Sequence, residues 1–143
     1  TNREQLKNKF FLLEEFILDQ IKIKNKINHI NFDKEVIIHG HCHQKSQNRM
    51  KGLFKLLDTF NIKYKMIDSS CCGMAGSFGY NSKNYDISKK MAYLSLIPEI
   101  NKTDKNAFIL ANGTSCRHQI SDFSERKPNH IAELLFNLFE RIN

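Results

Sequence analysis

Apolar residues along this chain follow two alternating periods. Near the start, Leu6, Phe10, Leu13, Phe16, Ile17 and Ile21 recur every three or four positions. That spacing lines one side of an α-helix with apolar groups, and it predicts an amphipathic helix over 4–23 with these side chains facing the core. The run VIIHG at 36–40 changes the pattern: consecutive β-branched residues closed by glycine read as a buried strand. Met50, Leu53, Phe54 and Leu57 return to helical spacing within 48–60, and IKYKMID at 62–68 reads as a second strand. A helix follows over 84–100, ended or kinked by Pro98, because a proline ring inside a helix strikes the carbonyl four residues back. AFILANG at 107–113 is a third strand and TSCRHQISDF a short helix. PNHIAELLFNLFERI closes the chain as a helix that Pro128 precedes and Asn129 caps.

Strands that alternate with helices imply βαβ crossovers and a parallel sheet covered on both sides. The predicted fold is therefore α/β: three layers, with a short, mostly parallel sheet and helices on both faces. The 143 residues suit one domain with a single core, so we expect a single domain over 1–143. No internal repeat or linker interrupts it. The first residue is Thr1 rather than Met, and we expect a piece of a longer protein.

Composition narrows the functional classes. Hydrophobic residues make up 41% and charged residues 26%, the balance of a globular chain rather than a disordered one. The formal net charge of +7 raises the question of nucleic acid or an anionic surface. The basic residues are scattered, however, without a basic run or a strand of interleaved basic and aromatic residues. They read as a solvated basic surface, and nucleic-acid binding is not expected. No apolar stretch reaches the ~18 residues that span a bilayer, and Glu14 and Glu15 interrupt FFLLEEFIL, which excludes a signal-peptide core. We expect a cytoplasmic protein whose association with a membrane, if any, is peripheral and through partners.

The four cysteines, Cys42, Cys71, Cys72 and Cys116, carry the chemistry. Without a secretion signal they favour metal or redox chemistry over a disulfide scaffold. Cys42 follows the first predicted strand, Cys71 and Cys72 the second, and Cys116 the third. Ligand sites in open parallel sheets form at the carboxyl ends of the strands, so all four thiols are expected on one edge of the domain. In SSCCGMAGSFGY, 69–80, the adjacent cysteines leave α-carbons ~3.8 Å apart, and both sulfurs can reach one polynuclear centre. Gly73 suits a positive φ. Gly76 and Gly79 let the backbone approach a bound group, with N–H groups available to thiolate or sulfide. The same stretch also reads as a tight turn holding two buried thiols.

HGHCHQK, 39–45, places His39, His41 and His43 on one side and Cys42 on the other if the strand continues, although Gly40 argues against continuation. These histidines read either as metal ligands or partners of ligands, or as hydrogen-bonded ties between loops. In GTSCRHQ, 113–119, Arg117 and His118 flank Cys116, and a neighbouring cation favours thiolate. His130 reads as readily as a surface or packing residue as a ligand.

HGHCHQK, CCGMAGSFGY and GTSCRHQI, in this order, resemble the CCG cysteine-rich domain. That domain occurs in the B subunit of heterodisulfide reductase and in iron–sulfur subunits of glycolate oxidase and lactate-utilisation proteins. The motifs are most similar to the C-terminal domain of FAD-linked oxidases of the D-lactate or D-2-hydroxyglutarate dehydrogenase type, and EEF at 14–16 and NHIAELL at 129–135 fit the same pattern. The resemblance implies a Rossmann-like CCG domain in which Cys42, Cys71, Cys72 and Cys116 match the family's first four cysteines. Gln119 stands where the fifth would be. It implies an iron–sulfur cluster, foremost of the 4Fe–4S kind, that passes electrons from a flavin dehydrogenase domain oxidising a D-2-hydroxy acid to an acceptor. FAD would sit only in the absent part of the chain, and these residues alone would hold no catalytic group. With four thiols a zinc or mononuclear iron site of three thiolates and one histidine is also open. The alternative function is then a structural zinc domain that docks partner subunits.

Overall fold

Among the described residues, four short strands pair side by side in the order β2-β1-β3-β4, every pair parallel. They are β1 (Val36–His39), β2 (Tyr64–Met66), β3 (Phe108–Ala111) and β4 (Pro128–Asn129). The computed structural model describes residues 10–24 and 32–140. Its helices are α1 (Leu13–Lys24), α2 (Cys42–Ser46), α3 (Met50–Thr59), α4 (Tyr85–Leu94), α5 (Leu96–Asn101), α6 (Thr114–Phe123) and α7 (Ile131–Glu140). Two 3₁₀ turns, Phe78–Tyr80 and Ser82–Asn84, lead into α4.

Side-chain alternation divides the central strands between two cores. Val36 and Ile38 of β1, with Leu110 of β3, pack against Leu53 and Leu57 of α3 and Ile131 and Leu134 of α7. Ile37 of β1, with Ile109 and Ala111 of β3, packs on the other face against Leu96, Ile97, Ile100 and Ile120. Each fully buried Ile or Leu contributes on the order of 1.5–3 kcal/mol relative to exposure, which is why a four-residue strand suffices at the centre of the sheet. Helices cover both faces. No helix among the described residues is long and apolar enough to cross a membrane.

Pro98 acts three residues upstream of itself. The chain breaks at Ser95 (φ −151°, ψ −47°), between α4 and α5. The proline ring would have collided with the carbonyl of Leu94, so the helix stops there and restarts with Pro98 in its first turn, where a missing N–H costs nothing.

Three expectations need correction. The first helix begins at Leu13; Phe10 to Leu12 lie outside it, and Leu6 lies outside the described residues. Its inward face also differs. Glu14 is buried while Leu13 and Phe16 are 38% and 49% exposed. Polar partners from the next segments turn the helix. Gln44 Nε2 donates to Glu14 Oε1 (2.9 Å), and Arg49 forks onto Glu15 through Nε (3.3 Å) and Nη2 (2.7 Å). Gly52 allows this approach, since a Cβ there would sit 3.1 Å from Glu15 Cγ. Ile17 and Ile21 still pack on the core.

The second correction is the strand β4, which no sequence pattern predicts. The third is the cap of α7. Asn129 lies in β4 and its amide donates to the carbonyls of Ile109 (3.4 Å) and Lys127 (3.1 Å). His130 caps instead: its Nδ1 accepts the N–H of Ala132 (3.1 Å), and Glu133 Oε1 accepts the N–H of His130 (3.0 Å). That exchange is the reciprocal pattern of a capping box.

Candidate metal centre

β1 ends at His39, and the chain turns into α2 rather than continuing as a strand. The alternation that would have placed His39, His41 and His43 together therefore stops after its first member. His39 is buried, and its Nδ1 is bonded to Ser69 Oγ at 2.7 Å. That leaves the other ring nitrogen for the sulfurs. Lys45 of α2 donates to the Ser69 carbonyl (2.6 Å) and ties the start of the cysteine loop to the end of β1. Gly40 accommodates the lysine stem, because a Cβ there would lie 3.0 Å from Lys45 Cδ.

The loop after β2 carries Cys71 and Cys72. All four cysteines are free thiols, Cys72 and Cys116 buried and Cys42 and Cys71 half-buried. The N–H of Gly73 points at Cys71 Sγ (3.4 Å), and the backbone at Met74 helps to lower the Cys72 thiol pKa. Of the N–H groups expected to face the sulfurs, that of Gly79 is turned to the Met74 carbonyl (3.1 Å). Gly73 does adopt positive φ (94°). A Cβ on Gly79 would meet Ser88 and Met74, whereas Gly76 has open space around it.

Cys116 lies in the first turn of α6, directly after β3, and its thiol donates to Cys72 Sγ at 3.4 Å. Among the described residues, one group of possible ligands brings its atoms within 4.8 Å of one another: His39, Cys72 and Cys116, all buried. The pair shares protons unequally. The Cys116 S–H bond holds the Cys72 thiol pKa well below the ordinary thiol value, against the opposing effect of burial and with further help from His39 and the Met74 backbone. Cys116 is pushed up by the same bond, by burial, and by the charges of Cys72, Cys42 and Cys71. Cys42 and Cys71 are thus close enough for their charge to bear on Cys116, though outside the tight group.

The remaining histidines take separate places. A Cβ on Gly113 would strike the His41 ring and sit 2.9 Å from Cys116 Sγ, so His41 lies over the strand-to-helix turn beside the site. Burial, then the neighbouring His43, lowers its pKa. His43 is exposed, its ring 5.2 Å from that of His41. His118 is exposed and bonds Tyr80 of the 3₁₀ turn through Nδ1. Arg117 places its guanidinium on the carbonyls of Ala111 (2.9 Å) and Asn112 (2.8 Å). Ser69, Gly113 and Ser88 belong to this neighbourhood and are not marked as site residues by the sequence alone. Ser69 and Gly113 sit inside the quoted motifs, where adjacency to the cysteines was the available signal.

The chain is similar to curated dehydrogenases over most of its length. It is 34% identical over 107 residues, 71% of this chain, to D-2-hydroxyglutarate dehydrogenase of Pseudomonas putida, and 30% identical over 81 residues, 57% of this chain, to the protein of that name from Escherichia coli K12. It is 24% identical over 102 residues, again 71% of this chain, to one of the subunits of anaerobic glycerol-3-phosphate dehydrogenase of Escherichia coli K12. No family model matches the chain. No solved structure matches it. The chain spans 10% and 8% of the two D-2-hydroxyglutarate dehydrogenases and 25% of the glycerol-3-phosphate dehydrogenase polypeptide. What this segment shares with pieces of several dehydrogenases is thus similarity to one small part of each.

Proposed function

We propose that this chain is a CCG cysteine-rich domain that holds an iron–sulfur cluster on Cys42, Cys71, Cys72 and Cys116. It would serve as an electron-transfer module of a larger flavin-linked dehydrogenase acting on a D-2-hydroxy acid. The observation that carries the reading is the meeting of Cys72 and Cys116, from two different crossovers, with sulfurs 3.4 Å apart at one end of the sheet. Four cysteines without a disulfide suit the thiolate ligation of such clusters. A bound cluster supplies one-electron transfer. The chain's own part is to present the thiolates, to direct the Gly73 N–H group at sulfur, and to bury two of the four thiols away from water. Such N–H donors tune the potential of thiolate-ligated iron. The similarity to D-2-hydroxyglutarate dehydrogenases supports the substrate class, with the flavin in the part of the protein outside this chain.

A second reading has its own observation. His39 stands in the tight group with Cys72 and Cys116, and a mixed nitrogen and sulfur donor set suits a single zinc ion of structural type. Ser69 on Nδ1 would then orient the ring, as second partners of ligating histidines do. Anaerobic reconstitution separates the two readings. Iron and acid-labile sulfide with broad visible absorption is the expected result. A colourless protein that takes up zinc and rejects iron and sulfide would overturn the electron-transfer reading in favour of the structural one.

A further inference from the structure

We infer that Ser88 and Gln119 are positioning residues that seat the Cys-Cys-Gly loop on α6, so that Cys72 and Cys116 stand together before any metal binds. The inference rests on the reading above only in taking these sulfurs as ligands.

Gln119 follows Cys116 by nearly one turn of α6, so the two share a side of that helix. Its side chain is buried, and its Nε2 donates to both the carbonyl (3.1 Å) and the hydroxyl (3.0 Å) of Ser88 on α4. Ser88 is itself buried, and its hydroxyl donates onward to the Met74 thioether (3.7 Å). Met74 follows Cys72 by two residues in the same loop. A closed ring results: Cys116 to Gln119 along α6, then Ser88, Met74 and Cys72, and back to Cys116 across 3.4 Å. The Ser88 hydroxyl donates once and accepts once within it.

Two glycines show how closely the loop is fitted. A Cβ on Gly73 would collide with the Ser88 carbonyl and approach Gln119 Nε2 to 3.2 Å. A Cβ on Gly79 would collide with the Ser88 hydroxyl and lie 2.5 Å from Met74 Sδ. The loop thus wraps one serine from both sides with no room for a methyl group. None of these contacts needs an ion. The position that the sequence motif would give to a further thiol is instead filled by an amide whose two bonds fix the distance between the other two.

The test uses metal-free protein with Cys42→Ser and Cys71→Ser, which leaves Cys72 and Cys116 as the only thiols. A thiol oxidant such as diamide closes them into a disulfide, followed by mass under non-reducing conditions. Gln119→Met keeps the volume and removes the donors; Ser88→Ala removes the hydroxyl. In each variant the rate is expected to fall about tenfold or more, the scale of loss when reacting atoms drift by a fraction of an ångström to an ångström. Circular dichroism would remain that of the parent. Variants that stay folded and close the disulfide within about twofold of the parent rate overturn the proposal. If Gln119→Met does not fold, Ser88→Ala decides alone. If the two-thiol parent closes the disulfide rapidly and both variants are slow, while the protein with all four cysteines binds neither iron nor zinc, the metal reading falls and the positioning role stands.

Discussion

Replacing Gly73 and Gly76 by alanine, one at a time, separates backbone strain from packing in the cysteine loop. Both glycines have positive φ, 94° and 68°. A Cβ in the left-handed region costs roughly 1–2 kcal/mol wherever it occurs. At Gly76 nothing lies within 4 Å of the added atom, so that cost stands alone. At Gly73 the new methyl runs into the Ser88 carbonyl and comes within 3.1 Å of Met91 Cβ, both on helix α4, which cannot yield as a flexible side chain would. Overpacking of this kind adds about 1–3 kcal/mol. The expected losses are therefore about 1–2 kcal/mol for Gly76→Ala and about 2–5 kcal/mol for Gly73→Ala. Urea unfolding of the metal-free protein, followed by circular dichroism and checked for unchanged slope, gives both numbers. A typical domain has about 5–15 kcal/mol of stability, so Gly73→Ala should leave a folded but weakened protein. Equal losses at the two positions, within about 0.5 kcal/mol, would mean that the loop is not seated against α4 and would refute the packing argument.

Cys72→Ser should abolish iron uptake on anaerobic reconstitution, while His39→Ala should retain iron and change its potential or retention; a His39→Ala protein that loses all metal while Cys72→Ser keeps it would reverse the ligand assignment. In the metal-free protein the depressed Cys72 pKa makes folding more favourable as pH rises toward the ordinary thiol range, and that contribution is lost as pH falls through the depressed value. The raised Cys116 pKa acts oppositely, costing stability once pH exceeds the ordinary thiol value. Urea midpoints against pH should thus peak near that value, and the Cys72→Ala curve should lose the rising limb; an unchanged curve would count against the shared proton. Burial raises the Glu14 pKa, so its ionised form is a cost that grows as pH rises through the folded-state value. Glu14→Gln, which keeps an acceptor for Gln44, is expected to stabilise by on the order of 1 kcal/mol at neutral pH and not in acid; a loss at neutral pH would show that the charge itself is needed.

The parallel sheet could be read from the chain because its evidence is local: β-branched runs at 36–40 and 107–113 lie between segments of helical spacing. Features set by distant partners could not. The inward turn of Glu14 depends on Gln44 and Arg49, neither of which shows in the periodicity of α1. β4 is two residues long and contains a proline, so no propensity pattern marks it. The choice of His39 over His41 and His43 follows from where β1 ends, a matter of one or two residues that local pattern does not settle. Gln119 stood out only as an interruption of a cysteine pattern, and its use as a clamp depends on Ser88, thirty-one positions earlier.

Because the sulfurs that meet at the sheet edge lie 44 positions apart in the chain, and His39 meets Ser69 across 30, the site also has a place in the order of folding. Contacts between distant segments form late, since the intervening chain must be closed into a loop before they return any energy. Partly collapsed chains would hold the adjacent pair Cys71 and Cys72 without their partner on α6, leaving them open to capture by stray oxidant or by a second chain. Delivery of a metal or cluster is therefore expected to succeed only after the crossover through α4 and α5 has closed. Refolding followed simultaneously by circular dichroism and by cobalt absorption should show colour lagging behind helix; simultaneous appearance of both would place the metal among the events that drive the chain together.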